Sequence, residues 1–253
     1  MSELLHITID GKDCTCERGE YLWDVAKRNG IPIPVLCRSD AFPEHRACCR
    51  VCIVEVETRG RTKVVTSCVY PVEQECEVRT NSERIKEERS VVLGLLAARA
   101  PEAQRVTFLS QAMGNEGLER LITLDGEKCV LCGLCVQACD SLGTSAISTV
   151  NRGVDKMVNT PYGDPSSSCV GCLSCANVCP TDAIPYTQTA DARTIWNRTF
   201  ELVKCERCGA IMGTPESMAH AAKRAGLDEV PTLCDECRKK LIADEMMPAY
   251  RLS

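Results

Sequence analysis

The sequence predicts an α+β protein built from small modules strung along the chain, each folded around metal. Three observations predict it. Sixteen of the 20 cysteines fall into four spaced groups that run over most of the 253 residues. Aromatic residues are only 4% of the chain, too few for large aromatic cores, and metal ligation can replace missing apolar burial. Short stretches of period two alternate with short stretches of helical period between the groups.

Taken in order, Leu5, Ile7 and Ile9 alternate with Leu4, His6 and Thr8 as a strand that ends at the turn Asp10-Gly11. Glu20 to Asn29 reads as a helix with Leu22, Val25 and Ala26 on one side and Gly30 as its stop. Val51 to Glu57 and Thr62 to Thr66 read as a hairpin turning at Arg59-Gly60. Together these give a small mixed sheet with a helix packed on it. Ser82 is the expected N-cap of a helix through Ala98, with Ile85, Val92, Leu95 and Leu96 apolar. Pro101 suits the first position of a second helix, Glu102 to Met113. Glu216 to Ala225 reads as a helix ending at Gly226. The final residues, Arg238 to Ser253, read as a docking tail or a disordered one.

The cysteine groups carry the chemistry. Cys129-x2-Cys132-x2-Cys135-x3-Cys139 is followed by Cys169-x2-Cys172-x2-Cys175-x3-Cys179-Pro180. A doubled run of this kind is the bacterial-type two-[4Fe–4S] pattern, in which the fourth cysteine of each run ligates the other cluster. One predicted ligand set is therefore Cys129, Cys132, Cys135 and Cys179, and the other is Cys139, Cys169, Cys172 and Cys175. Gly133 and Gly171 suit tight turns around sulfur. Upstream, Cys37, Cys49, Cys52 and Cys68 are spaced x11, x2 and x15. Four thiolates with a close central pair suit a [2Fe–2S] rhombus. Cys48 competes with Cys49, which alone gives the x2 pair, and Cys76 competes with Cys68. Downstream, Cys205-x2-Cys208 and Cys234-x2-Cys237 read as a tetrahedral four-cysteine site, zinc first and a further [4Fe–4S] second. Cys14, Cys16, Cys48 and Cys76 are expected as small buried hydrophobes.

Two segments, IDGKDCTCERGEYLWDVAKRNGIPIPVLC and CRVCIVEVE, resemble the N-terminal ferredoxin-like domain of the complex I large iron–sulfur subunit, of hydrogenase diaphorase subunits and of [FeFe] hydrogenases. The segments CVLCGLCVQACD, NRGVDKMVNTPYGDP and CVGCLSCANVCPTDAI resemble the diaphorase and [FeFe] hydrogenase two-cluster module. The resemblance covers about residues 1 to 80 and 125 to 190. It implies a plant-type ferredoxin-like (β-grasp) [2Fe–2S] domain over 1–80, with Cys68 rather than Cys76 as ligand, and a two-[4Fe–4S] domain over 125–195. A helical bridge, 81–124, and a C-terminal four-cysteine knuckle module with its tail, 196–253, complete the expected domains. Many members of these families hold a [4Fe–4S] site with one histidine and three cysteines in the bridge. Here the bridge has neither residue type.

The function expected is electron transfer rather than catalysis. No GxGxxG or GxxxxGK[ST] loop offers a nucleotide site. His6, His45 and His220 are scattered and read as ordinary residues. The resemblance implies a non-catalytic subunit of a cytoplasmic hydrogenase-type oxidoreductase, electron-bifurcating in one version. Its expected partners are an NADH-oxidising flavoprotein with FMN and a hydrogenase or formate dehydrogenase catalytic subunit. Net charge is −5, which excludes the basic stripe of a nucleic-acid surface. The N-terminus lacks a signal-peptide pattern and no window is long and apolar enough for a membrane span. A reducing compartment keeps thiols free for metal. A free-standing polyferredoxin carrier and a cluster-based redox sensor are the rival readings.

Overall fold

A computed structural model describes residues 4–42, 45–114 and 123–250, the side chains of 245 and 247–250 excepted. The chain forms two compact units. The first runs up to Ala138 and regains Val178–Ala183, while the second holds Cys139–Asn177 and everything from Ile184 onward.

The first unit is organised by a five-stranded sheet. Strands β1 (Leu4–Ile9) and β2 (Lys12–Glu17) form a hairpin whose turn residues Asp10 and Gly11 both have positive φ, 49° and 79°. That is the left-handed pair a two-residue hairpin loop requires. Helix α1 (Leu22–Arg28) buries Leu22, Val25 and Ala26, as their spacing predicts, and the chain leaves it through Gly30 at φ 71°. Strands β3 (Ile53–Thr58) and β4 (Arg61–Thr66) pair in the predicted hairpin around Arg59 and Gly60. Strand β5 (Glu77–Arg79) lies parallel to β1 and antiparallel to β3, giving the order β2-β1-β5-β3-β4. Cys14, Cys16 and Cys76 join the apolar core of this sheet, in line with their reading as small hydrophobes. Cys48 does not: it is exposed, because it precedes the loop that turns Cys49 inward.

Helix α2 (Glu83–Arg99) begins where predicted, with Ser82 Oγ accepting from the Ile85 N–H at 3.3 Å. Of the four expected apolar residues, Ile85 is buried and Val92 and Leu96 pack against the core. Leu95 is exposed, and Ile85, Arg89 and Leu93 point inward. The following helix also starts later than Pro101 suggests. Ala103 caps α3 (Gln104–Ala112), and Pro101 and Glu102 turn the chain ahead of it. The end of the expected bridge, 115–122, lies outside the described residues.

Arg89 is 1% exposed. Its guanidinium donates to Val51 O (3.0 Å), Ile53 O (2.7 Å), Thr80 O (3.0 Å) and Asn81 Oδ1 (3.0 Å). One side chain thereby fastens α2 to the carbonyls on either side of Cys52 and to the end of β5.

The second unit contains short strands and helices of up to 16 residues. The chain enters it along helix α4 (Leu134–Ser141), which carries Cys135 of the first unit and Cys139 of the second one turn apart, as a 3.6-residue period places them. Strands β6 (Ser148–Val150) and β7 (Met157–Asn159) form a small hairpin. The short helix α5 (Ser174–Asn177) carries Cys175. Strands β8 (Tyr186–Gln188), β9 (Ala192–Ile195) and β10 (Arg198–Glu201) make a three-stranded antiparallel sheet in the order β10-β9-β8. Strands β11 (Val203–Lys204) and β12 (Ile211–Gly213) frame the first C-terminal knuckle. Helix α6 (Pro215–Ala225) has a reciprocal cap between Thr214 and Ser217 and ends at Gly226 in the left-handed conformation, as predicted. The tail differs from expectation. Asp235–Tyr250 is a single helix, α7, beginning within the second knuckle. Among the described residues no helix is long and apolar enough to cross a membrane.

Removing the guanidinium of Arg89 leaves buried carbonyls without donors. Arg89→Met is therefore expected to destabilise the first unit by about 2–4 kcal/mol, read as a shift in urea midpoint at unchanged slope. A change below about 0.5 kcal/mol would show that the four bonds contribute little.

Candidate metal centres

The structure brings the predicted site cysteines together in four sets. In the first, Cys37, Cys49, Cys52 and Cys68 are all buried. Cys37 leaves the loop after α1, Cys49 and Cys52 bracket the turn before β3, and Cys68 follows β4. The Cys49 N–H donates to Cys37 Sγ at 3.5 Å. The thiols of Cys49 and Cys68 donate to Cys37 and hold it far below the usual thiol range. Cys68 in the same way draws Cys52 down to about 7, and Cys49 and Cys68 are raised in return. Four mutually hydrogen-bonded, buried thiols are a donor set suited to metal. Ser67 fixes the pocket, its Oγ donating to Cys52 O at 2.8 Å. Cys76 takes no part in this set, and burial pushes its thiol up to about 11.

The two CxxCxxC runs fold alike. In Cys129–Cys135 the left-handed residues are Leu131 (φ 54°) and Gly133 (φ 77°); in Cys169–Cys175 they are Gly171 (φ 67°) and Leu173 (φ 64°). Each run therefore needs left-handed backbone at the same two places and has glycine at one of them. This alternation turns successive N–H groups inward as an anion-binding concavity. The backbone at Leu131, Leu134 and Gly171 accordingly opposes the upward push of burial on the thiols of Cys129, Cys132 and Cys169.

The fourth cysteines repeat the pattern. The Ala146 N–H donates to Cys139 Sγ at 3.1 Å, and the Ala183 N–H donates to Cys179 Sγ at 3.3 Å. Cys179 belongs to the unit of the first run and Cys139 to that of the second. Cys179 acts electrostatically on Cys129, Cys132 and Cys135, and Cys139 on Cys169 and Cys175. Burial pushes Cys132 and Cys135 up to about 12 and Cys175 to about 11. Thiols this reluctant to ionise alone become thiolates when iron takes the proton's place.

In the second unit Cys139, Cys169, Cys172 and Cys175 line one apolar cavity together with Ile147, Ile195 and Trp196. The outer side of the run is pinned by donors to its carbonyls. Arg198 Nη1 donates to Cys169 O and Arg193 Nη1 to Gly171 O, each at 2.7 Å, and Thr214 Oγ1 donates to Val170 O. Carbonyls held outward leave the amides facing the cavity. Sequence reasoning missed these clamps because nothing in the spacing of arginines marks a partner about thirty residues away. Thr214 and Glu216 belong to the cap of α6, and Glu216 pairs with Arg198 at 3.1 Å. His220 Nε2 lies 2.7 Å from Leu142 O, and Arg224 Nη1 donates to Ser141 O at 2.8 Å. Helix α6 thereby grips the C-terminal end of α4, which carries Cys139.

The fourth set is the tightest. The Sγ atoms of Cys205, Cys208, Cys234 and Cys237 all lie within 4.8 Å of one another, with Cys208 and Cys234 at 3.7 Å. The Cys234 N–H donates to Cys205 Sγ at 3.3 Å. That bond is the main reason the Cys205 thiol is held down to about 6, while burial pushes Cys237 up to about 12.

The sulfur cages fit iron and zinc in donor type. One orphaned atom supports this for the second unit: Trp196 Nε1 is buried at the cavity without a hydrogen-bond partner.

Comparison with known proteins agrees with the site chemistry. Residues 2–83 match the 2Fe-2S iron-sulfur cluster binding domain, and residues 122–186 match the 4Fe-4S dicluster domain. The chain is 32% identical to NADP-reducing hydrogenase subunit HndD of Solidesulfovibrio fructosivorans, over 89% of this chain and 42% of that protein. It is 32% identical to NADPH-Fe(3+) oxidoreductase subunit alpha of Geobacter sulfurreducens, over 72% of this chain and 24% of that protein. It is 28% identical to an NADH-quinone oxidoreductase subunit of Rhizobium meliloti, over 81% of this chain and 27% of that protein. The chain thus spans less than half the length of these relatives. A crystal structure of NAD+-reducing [NiFe]-hydrogenase in the H2-reduced state shares the fold with a TM-score of 0.52 at 24% identity, covering 62% of this chain and 74% of that one.

The two glycines of the runs differ in what surrounds them. A Cβ on Gly171 would come within 2.8 Å of the Phe200 ring, whereas one on Gly133 would meet only the flexible end of Arg46, at 3.1 Å. Gly171→Ala is expected to lose about four iron atoms per chain and Gly133→Ala to keep most of its iron, measured by iron and acid-labile sulfide. Equal loss in both variants would show that the left-handed backbone, not the Phe200 contact, decides.

Proposed function

We propose that this chain, which joins a 2Fe-2S domain and a 4Fe-4S dicluster domain, is the iron–sulfur electron-transfer subunit of a multisubunit oxidoreductase. The preferred complex is a cytoplasmic hydrogenase. In it the chain relays electrons between a flavoprotein that handles NAD(H) and a hydrogenase or formate dehydrogenase catalytic subunit. The relatives' names support this reading, since they are subunits of NADP-reducing hydrogenase, NADPH-Fe(3+) oxidoreductase and NADH-quinone oxidoreductase.

One observation carries it. Cys37 and Cys49 of the first set share a single buried apolar cluster with Cys132 of the first CxxCxxC run, together with Leu36, Val51, Leu93, Val130 and Leu134. Both cysteine cages thus contribute to one buried apolar cluster, and Cys37 acts electrostatically on Cys132. A relay in the bridge, where cysteine and histidine are absent, is not needed to connect these two sites.

In this reading Cys37, Cys49, Cys52 and Cys68 hold a [2Fe–2S] cluster. Cys129, Cys132, Cys135 and Cys179 hold one [4Fe–4S] cluster; Cys139, Cys169, Cys172 and Cys175 hold the other. When bound, these groups each take up and release one electron. The chain's own contribution is to exclude water, aim N–H groups at sulfur and fix the order of the cages. Cys205, Cys208, Cys234 and Cys237 hold zinc. Four ligands at about 2.3 Å from one ion are about 3.8 Å apart, close to the 3.7 Å between Cys208 and Cys234. A cube of four irons needs a wider cage. Zinc has no redox chemistry, so its role is to hold α6 against the carbonyls of Ser141, Leu142 and Val170. The functional modules run over 1–80, 81–124, 125–195 and 196–253.

Anaerobically purified protein is expected to contain about ten iron atoms and one zinc per chain and to copurify with a flavoprotein or hydrogenase subunit. A fully loaded chain that always purifies alone would contradict the subunit reading. About fourteen iron atoms without zinc would turn the C-terminal site into a further relay. Cys139→Ser should damage the cluster of the second run; loss of the first run's cluster instead would contradict the crossed ligation. Cys208→Ser should leave the EPR-active iron unchanged while lowering the thermal midpoint, and loss of a reducible cluster would exclude zinc.

A further inference from the structure

Trp196 stands at the tip of the β9–β10 hairpin. Ile195 pairs with Arg198, so Trp196 and Asn197 form the two-residue loop, with φ of 52° and 59°. Such a loop favours Asn, Asp and Gly, which enter the left-handed region readily. Asn197 suits it. A bulky aromatic residue there is strained, and strain of this kind persists where the surroundings impose it. The hairpin alone gains nothing from tryptophan at this place.

The side chain indicates what does gain. Trp196 lines the cavity formed by Cys139, Cys169, Cys172 and Cys175. Its Nε1 is buried and has no hydrogen-bond partner. A buried indole N–H normally finds an acceptor, and the chain's other tryptophan does so: Trp23 Nε1 donates to Ile33 O at 3.1 Å. The cysteine sulfurs that line the same cavity are candidate acceptors for Trp196. The indole opposes the upward push of burial on the Cys175 thiol, although it makes no hydrogen bond in the structure.

We propose that Trp196 is a positioning residue whose indole N–H donates to a sulfur of the [4Fe–4S] cluster held by Cys139, Cys169, Cys172 and Cys175, and so raises that cluster's reduction potential. The proposal rests on the ligand reading given above. Reduction adds one electron to the cluster; no bond breaks, and the indole keeps its proton. The added negative charge strengthens an N–H···S bond, so the donor favours the reduced form. Hydrogen bonds to cluster sulfur are among the recognised controls of potential. Strain at the hairpin tip is then the cost of bringing the donor to the cavity.

The test is an EPR-monitored redox titration of the full-length protein, in its complex, with Trp196→Phe. Phenylalanine keeps the ring and removes the donor. The reduced-to-oxidised ratio of one [4Fe–4S] cluster at fixed potential is expected to fall about fivefold, the order of one net hydrogen bond, or about 40 mV for a one-electron couple. The other clusters should keep their midpoints, and Trp23→Phe should leave both [4Fe–4S] midpoints in place. A Trp196→Phe protein with full iron and unchanged midpoints overturns the proposal. If Trp196→Phe fails to load the cluster, Trp196→His decides. Loading restored by a ring that again offers an N–H supports the donor role, and failure of both variants assigns Trp196 to packing alone. A wild-type protein without two [4Fe–4S] signals would instead overturn the ligand reading, before any variant is compared.

Discussion

A buried thiol has to become a buried thiolate before it can serve this protein, and the rest of the structure answers to that constraint. Burial alone drives cysteine the other way, raising Cys132 and Cys135 to about 12. An isolated anion in an apolar core is costly. The chain offsets that cost in two ways. Backbone N–H groups donate to the sulfurs, as from Ala146, Ala183 and Cys234, and the backbone at Leu131, Leu134 and Gly171 favours the thiolates of Cys129, Cys132 and Cys169. Metal then supplies the positive charge.

Aiming an amide at sulfur requires turning its peptide, and this explains the left-handed residues. Both CxxCxxC runs adopt the same two left-handed positions although glycine occupies a different one in each. The carbonyls that face away then need donors. In the second unit Arg193, Arg198 and Thr214 provide them. The C-terminal knuckles thus reach the site through α6, whose cap and last turns hold Val170, Leu142 and Ser141. In the first unit the analogous work falls to Arg89 and Ser67 around Cys52.

The cysteine spacings made the sites legible, because a thiolate ligand has no substitute and its spacing is set by the cage. Hairpins at Asp10-Gly11 and Arg59-Gly60 and the cap at Ser82 were legible for the same local reason: a short-range backbone demand met by a residue suited to it. What was not legible depends on distant partners. Leu93 is buried and Leu95 exposed on α2 because Arg89 rotates that helix to face the carbonyls of Val51 and Ile53. The left-handed pair Trp196-Asn197 breaks the usual turn chemistry, so pattern alone does not announce it. Cys48 looked like a small core residue, yet the chain turns inward only at Cys49. The C-terminal tail, of which the sequence offered no secondary structure, is the helix Asp235–Tyr250, which begins within the second knuckle.

The first two cages contribute to one buried apolar cluster, and the electron path proposed between them depends on that proximity. Magnetic coupling between them tests this most directly. The relaxation of the reduced [2Fe–2S] EPR signal would be measured with the nearby [4Fe–4S] cluster oxidised and then reduced. Shared burial of Cys37, Cys49 and Cys132 predicts markedly faster relaxation or resolved splitting once both are reduced. A [2Fe–2S] signal indifferent to the redox state of its neighbour would contradict it.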